Sequence, residues 1–150
     1  MRVYLLAWSI LLAPTAFAEA QDAVPDLRGT WTGTNKAIVL GTSEHHQHPE
    51  RQSPEQARPR ISEVTFTFVV EGQEGRHAWG TLSSPRMREK FVWTISHDNR
   101  TIIGSDRDGT FFNRLLEPNK LEICYTGTDH HGKTGTHLIS VCHPFERKTP

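Results

Sequence analysis

From residue 62 to residue 147 the chain keeps alternating apolar and polar side chains with a period of two, in runs separated by short clusters of Gly, Asn, Asp and Pro. The clearest run is Glu63-Val64-Thr65-Phe66-Thr67-Phe68-Val69-Val70, with Val64, Phe66, Phe68 and Val70 on one face and Thr65 and Thr67 on the other. Successive side chains of an extended backbone point to opposite faces, so this period belongs to a half-buried strand. Phe91, Trp93 and Ile95 alternate in the same way with Val92, Thr94 and Ser96, and Trp79 and Thr81 alternate with Ala78, Gly80 and Leu82. No window of a dozen residues carries a helical stripe, and the chain reads as all-β.

Turn signals at Glu71 to Gly75, His97 to Arg100, Asp106 to Gly109 and Glu117 to Lys120 supply residues suited to positive or fixed φ. The spacing predicts eight strands near 29–40, 62–71, 77–84, 90–97, 101–105, 110–116, 120–126 and 138–147. Sequential hairpins favour an antiparallel up-and-down meander, and closing it into an eight-stranded β-barrel removes both exposed edges. If Ile123, Tyr125, Ile139, Val141 and Phe145 face inward, Cys124 and Cys142 lie together on the outside of neighbouring strands, where a disulfide is expected. Pro144 has no N–H to give to a ladder, so the last strand is expected to bulge there or the barrel to close incompletely.

Arg2 supplies a positive n-region, Val3 to Leu12 an apolar h-region and Ala16-Phe17-Ala18 a small-x-small cleavage pattern, so residues 1–18 read as a signal peptide. Cleavage after Ala20 also fits the pattern. The apolar run is shorter than the roughly 20 residues that a membrane span requires, and no stable membrane insertion is expected. Residues 19–28 then form an N-terminal arm and 29–147 a single barrel domain, secreted or periplasmic. The 17 basic and 17 acidic side chains balance and form no block of one sign, so nucleic acid is not an expected partner.

The first strand opens with Leu27-Arg28-Gly29-Thr30-Trp31-Thr32-Gly33, and Arg147 lies near the end of the last. These two marks resemble those of calycin barrels, the lipocalins and avidin-like proteins. In lipocalins and related calycins a Gly-x-Trp at the start of the first strand packs against a late Arg or Lys and plugs one end. The resemblance implies that Gly29, Trp31 and Arg147 close one end of this barrel. The second lipocalin motif and an avidin-type biotin-site pattern are both missing, so no ligand identity carries over.

Trp79, Trp93, Phe112, Arg114 and Tyr125 are read with one inward parity and become the candidate ligand-binding residues, with a simple filled core as the alternative. An inward Arg114 would need a carboxylate or an anionic ligand beside it. The long segment from Gly41 to Arg60 carries His45, His46 and His48, which with His130 or His131 could hold a metal, or could be ordinary solvated loop residues. Asp98, Asp106 and Asp108 fall in turns. Asp106-x-Asp108-Gly109 resembles a calcium loop but lacks the downstream ligands, and Asn99-Arg100-Thr101 is a glycosylation sequon if the source is eukaryotic. No nucleophile motif or catalytic residue is found, so neither an enzyme nor a cofactor is expected. The first expectation for function is a barrel that binds a small molecule in a partly apolar, aromatic-lined cavity. A protein-binding module, such as a protease or lysozyme inhibitor using the arm from Glu19 to Asp26, is the second, and a structural envelope protein without ligand the third.

Overall fold

The computed structural model describes residues 23–42, 58–128 and 137–148. The leader and the histidines His45, His46, His48, His130 and His131 lie outside the described residues. Eight strands follow in order: β1 (Gly29–Gly41), β2 (Arg60–Glu74), β3 (His77–Ser83), β4 (Arg88–Ile95), β5 (Thr101–Ser105), β6 (Gly109–Glu117), β7 (Lys120–Thr128) and β8 (His137–Arg147). Each pairs antiparallel with the next and β8 returns to β1, which gives the closed up-and-down barrel expected from the hairpin spacing. Cys124 and Cys142 are opposite each other on β7 and β8 and form the disulfide.

The lower part of the barrel is filled with rings. Phe68 sits among Phe91, Trp93, Phe111 and Phe145 at centroid separations of 5.4, 5.5, 5.7 and 5.4 Å. All but one of these pairs meet edge to face, the arrangement that the ring quadrupole favours. This crowding sets the parity of β3. A Cβ on Gly80 would lie 1.9 Å from the carbonyl oxygen of Val69 and 2.9 Å from the Phe91 ring, so the inner face of β3 carries the slender series Ala78, Gly80 and Leu82.

Pro144 does not prevent closure. The β1–β8 pairing runs through Trp31–Arg147 and Thr32–Glu146 and resumes at Ile38–Ser140, and Pro144 lies in the lapse between them. On its other side Pro144 stays in register with Glu122 of β7. Gly33 faces this lapse, where an added Cβ would lie 2.7 Å from the Pro144 carbonyl oxygen and 2.8 Å from the Phe145 ring.

The end of the barrel at the start of β1 is closed by its own plug. Trp31 is fully buried, its Nε1–H donates to the Leu27 carbonyl at 2.9 Å, and the Arg147 guanidinium stands 4.5 Å from its ring centroid. Arg147 also donates to the carbonyl of Asp26. Leu27 N–H donates to Gln73 Oε1 at 2.8 Å, and Gln73 Nε2–H returns to the Pro25 carbonyl at 2.9 Å. Leu27 is fully buried and Val24 packs against the core, so the segment from residue 23 to residue 28 is part of the plug. The described part of the expected arm, residues 23–28, thus packs against the barrel, and residues 19–22 lie outside the described residues.

Candidate functional site

At the opposite end the chemistry comes, among the described residues, from inward positions one or two residues beyond the aromatic core. Glu89 begins the inward series Glu89, Phe91, Trp93 and Ile95 of β4. Asp106 and Asp108 stand in the turn between β5 and β6, where Asp106 Oδ1 accepts the backbone N–H groups of Asp108 at 3.2 Å and Gly109 at 2.8 Å. The short Asp side chain satisfies turn donors in this way, which is why the residue type suits the position. Tyr125 of β7 places its hydroxyl 3.1 Å from Asp106 Oδ1 and 3.1 Å from Asp108 Oδ1. Its ring has room only because Gly109 and Gly127 pair directly across β6 and β7. A Cβ on Gly109 would lie 2.1 Å from the Tyr125 hydroxyl oxygen, and one on Gly127 would lie 2.8 Å from the ring.

Glu89, Asp106 and Asp108 thus form one cluster, each offering an oxygen within 4.8 Å of the others. Asp106 Oδ2 is buried and accepts no hydrogen bond. Burial, with Glu89 and Asp108 adding repulsion, pushes the Asp106 carboxyl up from 3.8 to about 6, against the hydrogen bonds from Asp108 N–H and Tyr125. Burial is also the largest cause raising the Tyr125 phenol above its ordinary range, with the two aspartates next, so it remains a donor at physiological pH.

Below this rim lies a cavity of about 40 Å³, and the atom-free space of the whole funnel, counted out to solvent, is about 490 Å³. On the measure that gives each water roughly 10–15 Å³, the inner cavity holds about three waters. Phe66, Phe111, Ile123 and Val141 form its apolar floor, and Asn35 of β1 and His137 of β8 face it from the side of the barrel opposite the carboxylates. Asn35 is 6% exposed and its Oδ1 has no hydrogen-bond partner.

Of the five residues expected to line an interior site, Tyr125 does so. Trp93 is inside but belongs to the packed ring cluster beneath. Trp79, Phe112 and Arg114 face outward, with Trp79 44% and Phe112 56% exposed, and their inward assignment is corrected. On β3 the rings of β2 and β4 leave no space for a second tryptophan. On β6 the inner positions go to Phe111 and Asn113, so that Arg114 keeps its charge in water and avoids the cost of an unpaired buried cation. Gly29, Trp31 and Arg147 stand together at the closed end, as the resemblance implied. Reading the sequence missed Glu89, Asn35 and His137 and treated Asp106 and Asp108 as turn residues, although Glu89 shares the parity of Phe91, Asn35 that of Ala37 and Val39, and His137 that of Ile139.

The cluster costs stability, and the sign can be checked. The folded pKa of Asp106 lies above its ordinary value, so the native state binds the extra proton. The resulting stabilisation is fully present below about 3.8 and is lost as the pH rises through about 6. Asp106→Asn keeps an acceptor for the turn N–H groups, removes the charge and turns an N–H toward the neighbouring carboxylates. It is expected to stabilise the protein by about 1–2 kcal/mol at pH 7.5, allowing for partial solvent screening, and by nearly nothing at pH 4. Urea unfolding of both proteins at the two pH values measures this difference.

No protein-family model matches the chain, and neither a curated protein nor a solved structure matches it.

Proposed function

We propose that the protein is a secreted or periplasmic binding barrel of calycin-like type that holds a small molecule in its open mouth and catalyses no reaction. The observation that carries this reading is the asymmetry of the barrel. One end is sealed by Leu27, Trp31 and Arg147, while the other keeps a cavity with an apolar floor and unsatisfied polar atoms at its rim. A barrel needing only a core has no use for a buried carboxylate oxygen and a buried amide oxygen without partners, whereas a ligand with donors supplies what both lack. The disulfide agrees with an oxidising compartment. Native mass spectrometry of the protein purified from its own secretion compartment tests the reading. A retained small-molecule mass supports it, and a bare chain after mild handling, with no binding in subsequent ligand screens, counts against it.

A protein-binding role is favoured by a different observation. Trp79 pairs with Val92 and Ile103 with Phe112, and all four are exposed, which makes an apolar stripe across the outside of β3 to β6. On that reading the partner is an enzyme held by the barrel wall. The double substitution Trp79→Ser and Phe112→Ser would then abolish inhibition of the target while leaving occupancy of the mouth unchanged.

A further inference from the structure

Between Arg76 and Glu117 the chain carries seven Lys or Arg and five Asp or Glu side chains. Folding separates the two signs. Glu89, Asp106 and Asp108 come together at the mouth, so Asp98 and Glu117 are the carboxylates of this segment left to balance its basic residues outside. The outer strand positions of β3 to β6 include no carboxylate, whereas Arg88, Lys90 and Arg114 are exposed there. Lys90 is paired with Glu71 of β2 at 2.8 Å, and Arg114 stands opposite Glu122 of β7. With both of these neighbours counted, the basic side chains of the wall are still in excess. Residues 58–128 are described without a gap, so every connection between β3, β4, β5 and β6 is in view.

The same face carries both of the exposed aromatic rings among the described residues. Trp79 pairs with Val92 and Ile103 with Phe112, the second pair lying one step nearer the closed end, and each of the four is about half exposed. Together they present roughly 400 Å² of apolar surface, a size at which a patch on a soluble protein is often functional. Trp79 is held in place from below. The β2–β3 register shifts between Val70 and Gly72, and the indole rests over Gly72, where a Cβ would lie 2.3 Å from the ring.

Shape decides between partners. The outer wall of a closed barrel is convex, and four adjacent strands of eight turn through a large part of its circumference. A rigid protein reaches all four apolar side chains only with a matching hollow, whereas a lipid headgroup layer yields around them. Aromatic side chains favour that layer, and Lys and Arg beside it are drawn to anionic lipid. We infer that the outer wall of β3 to β6 docks the protein on an anionic lipid surface. Trp79, Val92, Ile103 and Phe112 enter the headgroup layer, and Arg88, Lys90 and Arg114 stand among the lipid phosphates. The contact is peripheral, leaves the barrel folded, and goes beyond the small-molecule reading.

Co-sedimentation of the disulfide-bonded protein, with residues 1–18 removed, tests it against two sets of vesicles. One is phosphatidylcholine alone and the other contains about 30% phosphatidylglycerol, both at about 0.1 M salt. The anionic vesicles are expected to bind at least ten-fold more tightly, and salt at about 0.5 M to release most of the protein. Trp31 and Trp93 are buried, so quenching by brominated lipid reports on Trp79, whose emission should also shift to the blue. Trp79→Ser with Phe112→Ser, and Arg88→Glu with Arg114→Glu, should each weaken binding at least ten-fold, with circular dichroism confirming that both variants are folded. Ile61→Ser, an exposed position on β2, should leave it unchanged. Equal binding to both sets of vesicles would overturn the anionic surface. Binding without quenching of Trp79 would place the contact on another face and overturn this wall. Binding to neither set would overturn the proposal and leave the stripe to a protein partner.

Discussion

Trp31→Ala is expected to remove about 3–5 kcal/mol of folding stability, the cost of emptying a buried large aromatic site that its neighbours cannot collapse to fill. The estimate sits at the upper part of the range for core truncations because Trp31 does three things at once. Its ring is fully buried, its N–H satisfies the Leu27 carbonyl, and its face receives the Arg147 guanidinium at 4.5 Å. Removing it therefore leaves a void, an unpaired carbonyl and a partly buried cation without its ring. Domains of this size are stable by about 5–15 kcal/mol, so the loss is a large share of the total. Trp31→Phe refills most of the void and should recover more than half of the deficit. Trp79→Ala, on the outer surface at 44% exposure, should cost under about 1 kcal/mol. Urea titrations followed by circular dichroism separate the three. A Trp31→Ala midpoint near that of Trp79→Ala would mean that the closed end does not depend on its plug.

The same contrast between the two tryptophans shows what a linear reading of this chain can reach. Period-two alternation located all eight strands because each is long enough to show its two faces, as in Phe66, Phe68 and Val70 against Thr65, Thr67 and Val69. Parity failed on β3 and β6 for the reason that a strand rich in apolar residues has two plausible inner faces. Which face turns inward is decided by the volume that neighbouring strands leave, and that is a property of Phe91 and Phe68 rather than of Trp79. The rim was hidden for a related reason. Glu89 lies just before the predicted start of β4, so its membership in the inward series was cut off at the boundary, and its approach to Asp106 depends on the alignment of β4 with β5. Tyr125 was legible because Ile123 and Val141 fix the inner face of β7 and β8 unambiguously. Gly109 and Gly127, which make room for its ring, acquire meaning only once the two strands are paired.

The disulfide gives the second large effect, and its origin differs from that of Trp31. Cys124 and Cys142 are paired on the outer face, so replacing both with Ser disturbs no core contact; what changes is the unfolded chain. Closing a loop with a sequence separation of 18 is worth about 3 kcal/mol in the chain-entropy description. The double substitution Cys124→Ser and Cys142→Ser should lower stability by about 2–4 kcal/mol, and reduction of the native protein should do the same. It should also raise the urea m-value, because an uncrosslinked denatured ensemble is more expanded and exposes more surface, whereas Trp31→Ala should leave m unchanged. The tryptophan emission of the folded state should not move, since Trp31 and Trp93 stay buried in both forms. A loss of stability with unchanged m and altered emission would locate the effect in the native barrel instead. The site at the mouth then provides an internal check. Asp106, Asp108 and Tyr125 are tied together by the Asp106 turn, the Tyr125 hydroxyl and the paired glycines, contacts that do not pass through the sulfurs. At urea-free equilibrium the reduced barrel should therefore keep the raised titration of Asp106, at about 6, that the oxidised one has. The expected consequence is a crosslink that sets the stability of the barrel and a rim whose geometry does not change when that crosslink is reduced.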